Sequence, residues 1–108
     1  MKSLEEVTAQ ILETLQQVSK FRYTAIKTRM KDESTGRLKE ARAIYLLATE
    51  KEILSFYVIP GAWGAHINDN AGTKLFGTKE DDVVLTISKA VLCYSMNVLC
   101  DLELYLAR

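Results

Sequence analysis

The sequence predicts an α+β fold in two layers, with an antiparallel sheet of three or four strands and N-terminal and C-terminal helices packed on one face of it. Three observations support this prediction. The chain opens on an amphipathic segment, its middle consists of short apolar or alternating runs between polar turns, and its C-terminal end is one long apolar stretch. The predicted order is α-β-β-β-(β)-α in a single domain covering residues 1–108.

The first element is predicted as a helix. From Leu4 to Val18, apolar residues recur at steps of three and four, with acidic and amide residues between them. Ser3 followed by Glu6 matches a capping box, which satisfies free backbone N–H groups at a helix start. We therefore expect a helix with one buried face.

The middle of the chain predicts strands. Residues 20–30 alternate between two faces, and the Asp-Glu-Ser-Thr-Gly run at 32–36 has the composition of a turn. Residues 37–48 are ambiguous, since they contain good helix formers and also the apolar run 43–47 of a core strand. We favour a strand there because polar turns bracket the segment. A third strand at 53–59 ends at Pro60 and Gly61.

Residues 62–77 are rich in glycine and small polar residues. They predict a loop or a short hairpin around a turn at 68–72, which would supply the fourth strand.

The last element is predicted as a helix from about residue 79 to 105, about 40 Å long. Its helical wheel is apolar almost all the way round, and only a thin polar stripe runs along it. A globule of this length is about 34 Å across, so we expect one flank of the helix to need further cover. The sequence therefore predicts a homo-oligomer that associates through this helix or through a sheet edge.

Composition narrows the function classes. The chain has 14 basic and 14 acidic residues, so its net charge gives no reason to expect a membrane partner or a polyanion. Cys93 and Cys100 lie two helical turns apart, too far to bridge each other, and we expect them to be buried thiols. With no apolar signal segment after Met1, a cytoplasmic setting is the simplest interpretation.

Motifs for metal or group-transfer chemistry are missing from the sequence. One histidine and two distant cysteines do not supply a structural zinc site, and no phosphate-binding glycine loop or nucleophile elbow is present. We expect no metal and no cofactor, and we favour a non-enzymatic protein.

A basic segment is the first candidate site. Residues 20–42 contain eight basic and three acidic residues, and cations alternate with aromatic rings at 20–23. Such a hairpin could contact a protein partner, stack and neutralise single-stranded nucleic acid or RNA, or simply protect a sheet edge with charge. The predicted partner-binding residues are Phe21, Arg22, Tyr23, Lys27, Arg29, Arg37 and Lys39.

The second candidate is a loop that could hold a small ligand or an enzymatic site. It contains Trp63, His66, Asn68, Asp69 and Asn70. Turn formation alone would also explain these residue types.

Together these observations predict a non-enzymatic binding or adaptor protein that self-associates and uses its charged hairpin to contact a protein partner. Nucleic-acid binding through residues 20–42 is the alternative, and a ligand or enzymatic site at 63–70 is the third interpretation.

Overall fold

A computed structural model of the chain describes residues 3–32, 35–78 and 82–106, with the side chains of the last helix described as far as Leu99. A helix, a run of strands and a second helix follow one another, which confirms the α+β class. The elements are α1 (Leu4–Val18), β1 (Tyr23–Lys31), β2 (Leu38–Leu46), β3 (Lys51–Ile59), β4 (Ala62–Ile67), β5 (Lys74–Gly77) and α2 (Val83–Leu106).

The predicted helix at the start of the chain is present. The Ser3 hydroxyl accepts a hydrogen bond from the Glu6 amide at 3.2 Å, so the cap forms as the sequence indicates. The helix ends at Val18. The Phe21 amide donates a hydrogen bond to the Ser19 hydroxyl, just before β1 begins.

The described residues form one antiparallel sheet of five strands in the order β1-β2-β3-β4-β5. The prediction of three or four strands is therefore wrong. Residues 62–77 supply two strands, because Pro60 and Gly61 make a tight turn that returns β3 directly into β4. Gly61 has a φ of 76°, a conformation that costs glycine little because it lacks a Cβ atom.

Residues 38–46 form a strand, which resolves the ambiguity in the sequence. As β2, this segment lies between β1 and β3 and pairs with both. Its interior position explains the apolar run, since Ala43 and Ile44 point to opposite faces and both are fully buried. Tertiary pairing thus outweighs the helix propensity of its first residues.

The sheet has two unlike faces. Both helices pack on one face, here called the inner face. Its core contains large side chains from α1, the three central strands and α2: Val7, Ile11, Leu15, Ile44, Leu46, Leu54, Phe56, Trp63, Val83, Ile87 and Val91. Neither described helix covers the opposite face, here called the outer face.

Cross-strand pairing sets which residues lie on the outer face. One row crosses all five strands through successive partners: Ile26, Ala43, Ser55, His66 and Lys74. The next row on the same face contains Tyr57, Gly64 and Phe76. Because strand side chains alternate, the residues between these rows face the helices.

A buried hydrogen bond joins the first strand to the last helix. The hydroxyl groups of Tyr23 and Ser95 lie 2.7 Å apart, and both residues are buried. The Ser95 hydroxyl also donates to the Leu92 carbonyl at 3.2 Å, so Tyr23 is the donor to Ser95. This bond fixes α2 over the edge of the sheet where β1 begins.

We expect Tyr23→Phe and Ser95→Ala each to lower the free energy of unfolding by about 1 kcal/mol, because each removes one side of a buried hydrogen bond. Chemical denaturation of both single variants and the double variant would measure the coupling between them. Tyr45→Phe is the matched control, because Tyr45 is half-buried and lies on the outer face of β2. Strict additivity of the two changes would contradict the bond.

Candidate functional site

The exposed side of α2 carries an apolar ridge. Leu85 and Met96 are 57% and 61% exposed, while Leu92 and Leu99 are partly buried against the core. Spacings of seven, four and three residues place these four side chains, here called the α2 ridge, on one side of the helix. Lys89, which is also exposed, lies within the same stripe.

The opposite side of α2 is covered by its own chain. Val83, Ile87 and Val91 are fully buried, and Tyr94 and Val98 pack partly against the same core. The sheet and α1 therefore cover most of the apolar wheel that the sequence showed. Among the side chains described as far as Leu99, the α2 ridge is what remains.

The basic hairpin does not present its predicted residues as one surface. Tyr23 is buried with its hydroxyl bonded to Ser95, and Phe21 packs partly against the core. Arg22, Lys27, Arg29 and Arg37 are exposed, and Lys39 is half-buried. The rings that would stack on a base thus serve the fold, while the cations remain at the surface.

Acidic neighbours also reduce the charge of the hairpin. Arg42 is buried, and its guanidinium donates to Glu5 of α1 at 2.6 Å and approaches Glu40 at 3.5 Å. Glu40 in turn lies opposite Arg29 in the β1–β2 pairing. The surface formed by Lys27, Arg29 and Glu40 is therefore of mixed sign.

The structure separates the residues of the predicted ligand loop. Trp63 is buried on the inner face, where its indole N–H donates to Asp82 at 3.3 Å. His66 lies on the outer face beside Ser55 and Lys74. Only Asn68, Asp69 and Asn70 stay together, in the turn between β4 and β5.

Most polar groups of this turn are used to build it. The side-chain amide of Asn68 donates to the Glu52 carboxylate, and the backbone carbonyl of Asn68 accepts from the Tyr94 hydroxyl. Asp69 accepts from the amides of Ala71 and Thr73 at 3.1 and 3.0 Å, and from the Thr73 hydroxyl at 2.7 Å. Asn70, which is exposed, carries none of these bonds.

A groove lies between this turn and α2. Its volume is about 570 Å³, and Asp69 and Asn70 form one wall while Tyr94 and Asn97 form the other. The Lys51 ammonium lies 5.8 Å from the centre of the Tyr94 ring at one end. No local sequence pattern indicates that these two walls come together, because they are more than twenty residues apart in the chain and meet only through the packing of α2.

Cys93 differs from expectation. It is exposed and lines the same groove, whereas the sequence led us to expect a buried thiol. The reason is its position on the helix, which faces away from the side that holds Ile87 and Val91. The side chain of Cys100 lies outside the described residues.

The Asp69 turn makes a testable contribution to stability. Hydrogen bonds from the Thr73 amide, and then from the Thr73 hydroxyl, hold the pKa of Asp69 below its usual value of 3.8. Because the pKa of Asp69 is lower in the folded state than in the unfolded chain, the ionised carboxylate stabilises the fold fully above its ordinary pKa of 3.8. This contribution is lost as the pH falls through the folded-state pKa.

We therefore expect Asp69→Asn to lower the melting temperature at pH 7, and we expect the difference from the unaltered protein to shrink in acid. Thermal unfolding followed by circular dichroism between pH 7 and about pH 2.5 would measure this. Glu13→Gln, an exposed position on α1, is the control. A difference that stays constant across the range would contradict the role of the carboxylate.

Within the described part of the chain, no helix has the length and hydropathy needed to cross a membrane. The same residues contain no group of three or more side chains able to hold a metal ion. No family model matches the chain, and searches of curated proteins and of solved structures found no match.

Proposed function

We propose that this chain is a non-enzymatic binding or adaptor protein that associates with a second copy of itself through the α2 ridge. The observation that supports this most directly is the exposure of Leu85 and Met96 on the same side of α2, with Leu92 and Leu99 between and beside them. The ridge extends over about 21 Å of helix, counted from Leu85 to Leu99. Two such ridges in contact would bury apolar side chains in the manner of a helix pair.

Both edges of the sheet are poorly suited to pairing with a second copy, which favours α2 as the self-association surface. The β1 edge carries Lys27, Arg29 and Lys31, all exposed, and charged side chains on an edge strand oppose pairing with another chain. The other edge, β5, has only four residues. Neither edge offers a long apolar template, whereas the α2 ridge has four apolar side chains on one side of the helix, with Lys89 among them.

The exposed cations of the hairpin favour a protein partner as the second contact of the adaptor. Tyr23 supports the core instead of a stacking surface, and Glu40 lies opposite Arg29, an arrangement that suits a partner of mixed charge better than a row of phosphates.

Substitutions on the α2 ridge test self-association. We expect Met96→Glu and Leu85→Glu each to weaken it at least tenfold, because burying a side chain of this size contributes about 1.5–3 kcal/mol. Analytical ultracentrifugation over a range of concentrations would measure the dissociation constants. Leu38→Glu, at a position 66% exposed on the hairpin, is the matched control and should have no effect. A strictly monomeric protein at high concentration would overturn the proposal.

The nucleic-acid alternative has its own test. If the hairpin contacts protein, we expect a fluorescent single-stranded oligonucleotide of thymidines or uridines to bind no tighter than about 10⁻⁴ M near physiological salt. Fluorescence anisotropy at two salt concentrations would measure this. Tight binding that weakens steeply with salt and is lost in Lys27→Glu with Arg29→Glu would instead favour nucleic acid.

A further inference from the structure

The first strand of the sheet has an open side. Among the described strands, β1 pairs with β2 alone, so the backbone groups on its other side have no neighbouring strand. The bonds at the two ends of this pairing show which residues face β2. At one end, the Leu47 amide donates to the Arg22 carbonyl at 3.0 Å. At the other end, the Asp32 amide donates to the Arg37 carbonyl at 2.8 Å. Even-numbered residues of β1 therefore bond to β2, and the N–H and C=O groups of odd-numbered residues point outward.

The odd-numbered residues of β1 also carry its charge. Lys27, Arg29 and Lys31 are all exposed, and their side chains leave the strand on one side because strand side chains alternate. Tyr23, on the same side nearer the start of the strand, is buried with its hydroxyl against Ser95 of α2. The segment from residue 27 to 31, here called the β1 edge, therefore combines outward backbone groups with three exposed cations.

The charge of the β1 edge is not neutralised by an ion pair within the described part of the chain. Two nearby carboxylates, those of Glu5 and Glu40, both contact Arg42, at 2.6 and 3.5 Å. Glu40 also belongs to β2, one strand further from the open side. The β1 edge itself is therefore positive, and a protein partner of mixed charge would place an acidic segment there.

The even-numbered side chains of β1 offer a different surface on the opposite side of the strand. Thr28 and Met30 are half-buried there, and Ile26 is 46% exposed. A strand that paired with β1 would thus meet cations on one side and apolar or β-branched side chains on the other.

We propose that the β1 edge binds an extended acidic segment of a protein partner, which adds a sixth, antiparallel strand to the sheet. Acidic residues of this segment alternate with β-branched ones. Its carboxylates meet Lys27, Arg29 and Lys31, and its β-branched side chains meet Thr28 and Met30. In an antiparallel pair, each outward residue of β1 exchanges two backbone hydrogen bonds with the residue opposite it. These bonds supply affinity, and the alternation of side chains supplies specificity.

The same cations disfavour a second copy of β1 in this position. Two β1 strands would bring their lysine and arginine side chains together, and like charges opposite each other destabilise a strand pair. This inference rests on the proposed function and deepens it, because it specifies the partner that the hairpin contacts, whereas self-association uses the α2 ridge.

A fluorescently labelled peptide of sequence Thr-Glu-Val-Glu-Val-Glu-Thr is a suitable probe. We expect it to bind with a dissociation constant on the order of 100 µM near physiological salt, as measured by fluorescence anisotropy. The peptide with glutamine in place of each glutamate should bind about tenfold more weakly, because it loses three cross-strand pairs of opposite charge. Equal affinity of the two peptides, or no saturation up to about 1 mM, would overturn the proposal.

N-methylated peptides separate strand addition from attraction by charge alone. In the proposed pairing, the glutamate amides bond to β1 and the valine amides point away. Methyl groups on the glutamate amides should therefore weaken binding about tenfold, while methyl groups on the valine amides should leave it unchanged. Binding should also slow amide hydrogen exchange at Lys27 and Arg29 but not at Thr28, which faces β2. Unchanged binding after methylation of the glutamate amides would overturn strand addition.

Protein variants locate the site. Lys27→Gln combined with Arg29→Gln should weaken binding of the glutamate peptide about fivefold. Lys20→Gln combined with Arg37→Gln removes the same charge from exposed positions outside β1 and should leave the affinity unchanged. Circular dichroism confirms that each variant is folded. An equal loss of affinity in both double variants would overturn the assignment to the β1 edge.

The two proposals can fail separately. Met96→Glu should weaken self-association and leave the affinity for the peptide unchanged, because Met96 lies on α2 and not on the sheet edge. A monomeric protein that binds the peptide would overturn self-association alone. A self-associating protein that does not bind it would overturn the present inference alone.

Discussion

Both helices of this chain pack on the same face of a five-stranded sheet, and this one-sided packing determines which surfaces remain for function. Ile87 and Val91 of α2 and Ile11 of α1 meet Ile44 and Phe56 of the sheet in a single apolar core. Burial of these side chains is the dominant favourable term for a domain of this size. In the described part of the chain, the arrangement leaves the α2 ridge, the groove beside α2, the outer face of the sheet and the hairpin uncovered by either helix.

The sequence predicted the elements whose pattern is local. The period of α1, its Ser3 cap and the alternation of β1 each depend on residues close in the chain, and the structure contains all three. The sequence predicted residues 62–77 as a loop or a short hairpin that would add one strand, whereas the structure has both β4 and β5 there, because the evidence for β4 is not local. Gly64 is typical of a loop, yet in β4 it is small because the Tyr57 ring lies over it.

The candidate sites depend even more on contacts between residues that are far apart in the chain. Alternation of cations and rings at residues 20–23 suggested a binding surface, but only the packing of α2 reveals that Tyr23 bonds to Ser95. Likewise, nothing local links His66 to Lys74 or to Ser55. A cross-strand register that spans three strands places them together, and register depends on every turn in the sheet.

The α2 ridge and the outer face lie on opposite sides of the sheet. Because α2 packs on the inner face, an association through Leu85 and Met96 would leave the outer face of each copy open. The two surfaces are connected through the core that packs α2 against the sheet, and also through the turn between β4 and β5, which bonds to Tyr94 of α2. A partner on the outer face would change the assembly only if it distinguished the two states, because a ligand shifts an equilibrium only by its differential affinity for them.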